Sequence, residues 1–299
     1  MKYLITGGAG FIGSNLVHDL INEDHEVIVV DNLSTGSLKN ISDVLDKIKF
    51  IKASCVEVLK IKELKGLDGI YHYGVPSTTQ LYRDNRSLVG QAVNDFIEVL
   101  ELAKRENCKV VYASSSSVYN GNKPPFKEDM PVLIKDFYTE ARYLMERVAK
   151  LYNDFYGVKS IGFRFFSVYG PREEAKKNFA NLVSQFMWDM KKGKSPLIYG
   201  DGTQTRDFTY VDDINSGFKL GMNSDIDCDI FNLGTGKCYD LNKLVEILNK
   251  ILNTNIKSVY EKNPLINYVQ ETLADTSKAK NKLQFEAKIS LEEGIRKIV

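Results

Sequence analysis

Residues 2–31 read KYLITGGAGFIGSNLVHDLINEDHEVIVVD, and the fold is decided in this stretch. Lys2–Thr6 and Glu26–Asp31 are short apolar runs rich in β-branched residues, while the intervening Phe11–Asn22 repeats its apolar side chains at helical spacing. The pattern predicts strand, helix and strand, with Gly7, Gly8, Gly10 and Gly13 at the first junction. Glycines spaced in this way let a backbone approach a pyrophosphate closely, and the helix that follows points its free N–H groups at the anion. The second strand ends in Asp31, followed by Asn32 and Leu33 and no arginine. A carboxylate there accepts the ribose hydroxyls of NAD and repels the 2′-phosphate of NADP. The sequence therefore predicts an NAD site.

Outward from this unit, Lys49–Lys52, Gly69–Tyr73, Lys109–Ala113 and Ser160–Phe165 read as buried parallel strands, separated by helical segments. The longest helical patterns are Asn85–Glu106 and Asp136–Tyr156. This alternation predicts an α/β fold with a Rossmann-like, doubly wound parallel sheet over residues 1–170. After Gly170–Pro171 the pattern loosens. A helix over Asn178–Lys192, strands at Leu197–Tyr199 and Phe208–Val211, and helices at Asp212–Met222 and Tyr239–Leu252 make 171–299 a smaller substrate-binding lobe. The apolar run at Phe231–Gly234 reads as one later strand returning to the main sheet.

Composition narrows the function. Of 299 residues 43% are hydrophobic and 26% charged, and 40 basic side chains nearly balance 39 acidic ones. Such a chain buries its own core and offers no basic surface for nucleic acid. Cys55, Cys108, Cys228 and Cys238 form no C-x-x-C pair, and His18, His25 and His72 are the only histidines, so no metal is expected. The N-terminal apolar run meets its glycines before a signal core can form, and no long apolar run follows. These features predict a cytoplasmic protein that does not engage a membrane.

Candidate catalytic groups cluster after the strand at Lys109. Ser114–Ser117 precede Val118–Tyr119 at the carboxyl edge of the sheet, where ligands bind in such folds. Tyr138 and Arg142 stand at i and i+4 on the next helix. That spacing puts a phenol and a guanidinium on one face, where the cation favours a phenolate base. A strand-end serine can hold a substrate hydroxyl. The Y-x-x-x-K strings at Tyr119–Lys123 and Tyr239–Lys243 do not follow the serine strand as a helix, and they are set aside.

Several motifs together make the chain resemble the nucleotide-sugar epimerases of the extended short-chain dehydrogenase/reductase family along essentially its whole length. They are TGGAGFIG, DNLSTG at Asp31–Gly36, VYASSSSVY, RFFSVYGPR at Arg164–Arg172, YGDGTQTRDFTYVDD at Tyr199–Asp213 and ADTSKA at Ala274–Ala279. The resemblance implies NAD-dependent epimerisation of a UDP-hexose at C4 through a 4-keto intermediate, with Ser115 (or its neighbour Ser116), Tyr138 and Arg142 as catalytic residues. It implies cofactor contacts from Gly7, Gly10, Phe11, Ile12, Gly13, Asp31, Asn32, Ser34, Gly36, Ser54, Cys55, Tyr73, Gly74, Val75, Ser114 and Phe166, with Tyr138 and Arg142. It also implies substrate contacts from Ser115, Tyr138, Ser167, Asn178, Arg206 and Asp275, and a homodimer formed through the two long helices. Asp213 and Asp275 also suit helix starts.

The chain departs from the family pattern in informative places. Arg142 replaces the lysine four residues after the tyrosine, Ala53–Ser54 replaces an adenine-side Gly-Asp pair, and Ala92 and Ser167 replace asparagines. Gln270 or Glu271 takes the place of an arginine. UDP-glucuronate and UDP-N-acetylglucosamine 4-epimerisation remain alternatives, as does a catalytically altered NAD-binding member. Dehydration or decarboxylation ranks lower, because Ser116–Ser117 stand where those relatives carry acids.

Overall fold

The computed structural model describes residues 1–264 and 268–299. The chain begins β1 (Lys2–Thr6), α1 (Phe11–Asn22), β2 (Glu26–Asp31), β3 (Lys49–Lys52), β4 (Gly69–His72), α2 (Thr79–Asp84), α3 (Leu88–Glu106), β5 (Lys109–Ser115), α4 (Phe137–Tyr156) and β6 (Ser160–Phe165). It continues with β7 (Val168–Tyr169), α5 (Leu182–Lys191), β8 (Leu197–Tyr199), β9 (Thr205–Arg206), β10 (Thr209–Tyr210) and α6 (Val211–Asn223). Last come β11 (Cys228–Leu233), β12 (Tyr239–Asp240), α7 (Leu241–Leu252), β13 (Val259–Glu261), α8 (Ser277–Leu283) and α9 (Leu291–Ile298).

Seven of these strands form one parallel sheet in the order β11-β6-β5-β4-β1-β2-β3, the doubly wound arrangement expected from the sequence. The order reverses between β1 and β4, so the carboxyl ends of those strands open a crevice at the switch point. Leu16, Val17 and Leu20 of α1 pack one sheet face together with Ile214 and Phe218 of α6. Phe96, Val99 and Ala103 of α3, with Ala141, Met145 and Ala149 of α4, cover the other. A third core joins α5, α7 and α9 through Phe186, Leu244 and Ile295.

Three of these features set up the site. The N-cap of α1 is Gly10, which makes no side-chain cap, so the first N–H groups of that helix are left for an outside acceptor. Asp136 caps α4 by accepting the Thr139 N–H at 2.8 Å, and Gly157 closes that helix in the left-handed region at φ 68. The expected helix over Asn178–Lys192 begins instead at Leu182, because the preceding segment is a 3₁₀ turn broken at Lys177 (φ 48, ψ −121). Among the described residues, no helix is long and apolar enough to cross a membrane.

Candidate active site

A cleft of about 370 Å³ starts at the glycine loop and runs along the crevice. Gly7 sits at φ +70, and a Cβ on it would lie 2.7 Å from the Gly74 backbone nitrogen. A Cβ on Gly13 would lie 2.4 Å from the Gly7 carbonyl oxygen, so both positions exclude any side chain. Asp31 forms the next wall and is buried. Its carboxylate accepts the Ala9 N–H at 3.0 Å and the Leu33 N–H at 2.7 Å, which locks loop and strand end together. Burial pushes its pKa above the ordinary carboxylate value, against the pull of these N–H groups.

Across the cleft stand the ends of β4 and β5 and the start of α4. Ser114, Ser115, Ser116, Tyr138 and Arg142 all line it. The Ser115 hydroxyl oxygen accepts the Ser117 N–H at 3.1 Å, which leaves its own proton to donate elsewhere. Tyr138 meets Tyr82 edge to face at 5.6 Å, and the Arg142 guanidinium carbon lies 5.0 Å from the Tyr138 ring centroid. Arg142 is only 3% exposed. Its two terminal nitrogens donate to the Ala113 carbonyl at 3.0 Å and the Pro76 carbonyl at 2.9 Å, while its buried Nε finds no partner among the described residues. The arginine thus fastens the ends of β4 and β5 as well as holding charge beside the phenol. A lysine has one nitrogen to serve both carbonyls, which accounts for arginine here.

A second cavity of about 520 Å³ shares Ser115, Ser116 and Ser167 with the first. Its far side is built by Thr79, Gln80 and Arg83 of α2, by Asp136 and Phe137, and by Arg206 and Tyr268. Arg206 donates to the Thr205, Val269 and Gln270 carbonyls at 2.8, 2.6 and 3.2 Å and lies 5.2 Å from the Tyr268 ring centroid. Burial lowers its pKa. Its neighbour Asp207 is occupied elsewhere, by Thr235, Gly236 and Ala274. Ser167, on the shared wall, holds a left-handed φ of 33, a strained conformation of the kind that collects at functional sites.

The profile of the NAD dependent epimerase/dehydratase family matches residues 3–234. The chain belongs to this family. It is an enzyme of that family, and its cofactor is NAD. A putative UDP-glucose 4-epimerase from Methanocaldococcus jannaschii is 34% identical over 306 residues, covering 99% of this chain and 96% of the relative. The solved UDP-glucose 4-epimerase of Thermotoga maritima with UDP-glucose superposes with a TM-score of 0.93 at 31% identity, over 99% of this chain and 97% of that one. The UDP-N-acetylglucosamine 4-epimerase of Methanobrevibacter ruminantium, in complex with UDP-N-acetylmuramic acid, gives 0.92 at 29% identity, over 99% and 96%. The cleft of this epimerase-family chain fits NAD on its own geometry. The uncapped α1 N-terminus, the glycine cradle and Asp31 suit a pyrophosphate and a ribose, and the Arg142 Nε is a buried donor with no partner among the described residues.

Within the family site, most of the expected positions line the first cleft: Gly7, Gly10, Phe11, Ile12, Gly13, Asp31, Asn32, Ser34, Gly36, Ser54, Cys55, Tyr73, Gly74 and Val75. Three are placed otherwise. Phe166 is fully buried among Val118, Tyr119 and Phe126, and Phe165 faces the cleft instead, because side chains alternate between the two faces of an extended chain. Asn178 is exposed on the broken turn at Lys177, and Asn181, the N-cap of α5, lines the cleft. Asp275 lies outside both cavities, since its own N–H is tied to the Phe126 carbonyl at 2.9 Å and its carboxylate accepts the Ser277 N–H. Asp213 accepts the Lys288 and Ile289 N–H groups, pinning the C-terminal segment rather than capping α6.

Of the set-aside tyrosines, Tyr119 is a core residue whose hydroxyl donates to Asn232, and Tyr239 pairs with Arg206 across two short strands. His72 is buried and stacked on Phe96, as expected of a core histidine. Sequence reasoning missed Gln91, Asp95 and Lys176, which all line the cleft. For Asp95 a signal existed: it falls on the buried stripe of α3 between Ala92 and Val99, where an apolar residue belongs.

Proposed function

We propose that the protein epimerises a UDP-hexose at C4 by transient oxidation. One observation carries this reading: Ser115 and Ser116 are common to the dinucleotide cleft and the Arg206 cavity, and Tyr138 and Arg142 stand beside them. A hexose seated at that junction places its 4-hydroxyl before Tyr138. Bound NAD supplies a hydride acceptor and, in the return direction, a donor. Tyr138 as phenolate takes the 4-hydroxyl proton and gives it back when C4 regains the hydride on the opposite face of the sugar; with hydride and proton both returned, no net oxidation remains. Ser115 donates its free proton to the sugar oxygen, and Arg142 places a fixed positive charge beside the Tyr138 ring. Arg206, with a guanidinium suited to phosphate oxygens, is the group to hold the diphosphate.

UDP-glucose is the leading substrate. A UDP-glucuronate reading gains support from Arg83, a second cation on the sugar-side cavity that suits a carboxylate. Residues 1–170 with β11 carry the cofactor, and 171–299 supply most of the substrate lobe. The exposed Leu151, Phe155 and Tyr156 on α4 support pairing of two copies through the long helices. Four free cysteines support a reducing, cytoplasmic setting.

The test is incubation of purified protein with UDP-glucose, UDP-N-acetylglucosamine and UDP-glucuronate in turn, with products resolved by chromatography and mass detection. A C4 epimer of unchanged mass, formed at least ~100-fold more slowly by Tyr138→Phe, supports the proposal. Loss of water or carbon dioxide, or no turnover by protein that retains NAD, overturns it.

A further inference from the structure

The order of the strands gives the cofactor cleft two distinguishable ends. The chemistry of Ser115 and Tyr138 lies beyond β5, so the nicotinamide half occupies that side and the adenosine half extends from the glycine loop past Asp31 toward β3. The wall at the adenosine end combines Ala53, Ser54 and Cys55 after β3 with Val75 after β4 and Gln91 and Asp95 of α3. Asp31 and Asp95 are the carboxylates among the lining residues. Asp31 stands at the ribose position, at the tip of β2. Asp95 is 4% exposed and sits deeper, against the segment that follows Cys55, where the base would lie.

The polar edge of adenine presents an exocyclic amino group, a donor of two hydrogens, which needs an acceptor inside a buried cleft. Ala53 and Val75 have no side-chain acceptor, and the Ser54 hydroxyl carries no charge. We infer that Asp95 receives the adenine amino group of NAD, making a residue of α3 the selector of the base. The inference rests on the NAD assignment.

Asp95 is built for this work. The Gln91 side chain and the Val56 backbone N–H lie near its carboxylate and favour its charged form. Burial, the largest influence on it, raises its pKa to about 6, so the group is still an anion at neutral pH. Nothing in the reaction at C4 calls for a carboxylate at this end of the cleft.

Nicotinamide hypoxanthine dinucleotide tests the inference, because its base carries an oxo group at C6, with a hydrogen on N1, in place of the amino group of NAD. That oxygen would confront the carboxylate with lone pair against lone pair. The full-length protein is equilibrated with an equimolar excess of both dinucleotides and desalted, and the retained nucleotides are quantified by mass spectrometry. The wild-type protein is expected to retain NAD over the hypoxanthine analogue by at least ~tenfold, and Asp95→Ala to bring the ratio near unity. Asp95→Asn, which preserves the packing and an acceptor oxygen, should fall between them. Equal retention by the wild type, or a preference that survives Asp95→Ala, overturns the inference while leaving the NAD site standing. Retention of neither dinucleotide by the wild type overturns both.

Discussion

Glu146 and Arg164 form a buried ion pair under the serine strand, with their side chains 5% and 4% exposed. Glu146 accepts from Arg164 Nε at 2.9 Å and a terminal nitrogen at 2.6 Å, and from the Ser114 hydroxyl at 2.6 Å. Arg164 extends the network to the Tyr119 hydroxyl at 2.7 Å, which donates in turn to Asn232 at 2.8 Å. The pair thereby joins α4, β5, β6 and β11. Burial works to lower the Arg164 pKa, and Glu146 more than offsets it, raising the value above the ordinary one. Replacing Glu146 with Leu leaves a buried guanidinium with no counter-charge, a change that typically costs about 3–5 kcal/mol. At an unfolding entropy of about 2.1 cal/mol/K per residue, each kcal/mol lowers Tm by roughly 1.6 °C in a chain of this length, or ~5–8 °C in all. Arg164→Met should cost a similar amount by stranding the carboxylate. The double variant removes both charges and should fall at least ~2 kcal/mol short of the sum of the singles. Urea unfolding of the four proteins measures the cycle. Singles that add within ~0.5 kcal/mol would refute the reasoning, since they would mean that the two groups do not depend on each other.

The brace made by Arg142 gives a second expectation. Arg142→Lys leaves one nitrogen for the Ala113 and Pro76 carbonyls and should cost ~1–3 kcal/mol of stability with no gain in turnover; faster epimerisation at an unchanged Tm would contradict the fastening role. Asp31→Ser removes the charge that opposes a 2′-phosphate and should move the NAD:NADP retention ratio toward NADP by at least ~tenfold, and an unmoved ratio in a competition assay would count against Asp31 as the ribose group. His72 supplies a pH signature: burial lowers its pKa to about 3 in the folded protein. An unfolded histidine titrates near ~6.5, so between these values the unfolded chain binds the extra proton, and acidification removes stability at up to ~1.4 kcal/mol per pH unit. The difference in unfolding free energy between wild type and His72→Gln should therefore slope through that window and be flat above it; parallel curves throughout would exclude the assignment.

Local pattern carried much of this protein in its sequence. The opening strand–helix–strand unit, the glycine loop and Asp31 follow from periodicity and from glycine's freedom at one tight turn, all within some thirty residues. Ser115 and the Tyr138–Arg142 pair were legible for the same reason, as a strand end and a helix face. What only the tertiary structure decided depends on residues far apart in the chain. The register at the end of β6 put Phe165 rather than Phe166 toward the cleft, a choice of face that one residue of extended chain reverses. The carbonyls that Arg142 holds belong to Pro76 and Ala113, the partner of Glu146 is Arg164 on another strand, and Asp95 meets the cleft only because α3 packs beside the turn after β3. Short-range spacing specifies an element and the face it presents. Which groups that face meets is set by how the buried surfaces of distant elements close on one another, and that is where the junction of the two cavities, and the chemistry proposed for it, arises.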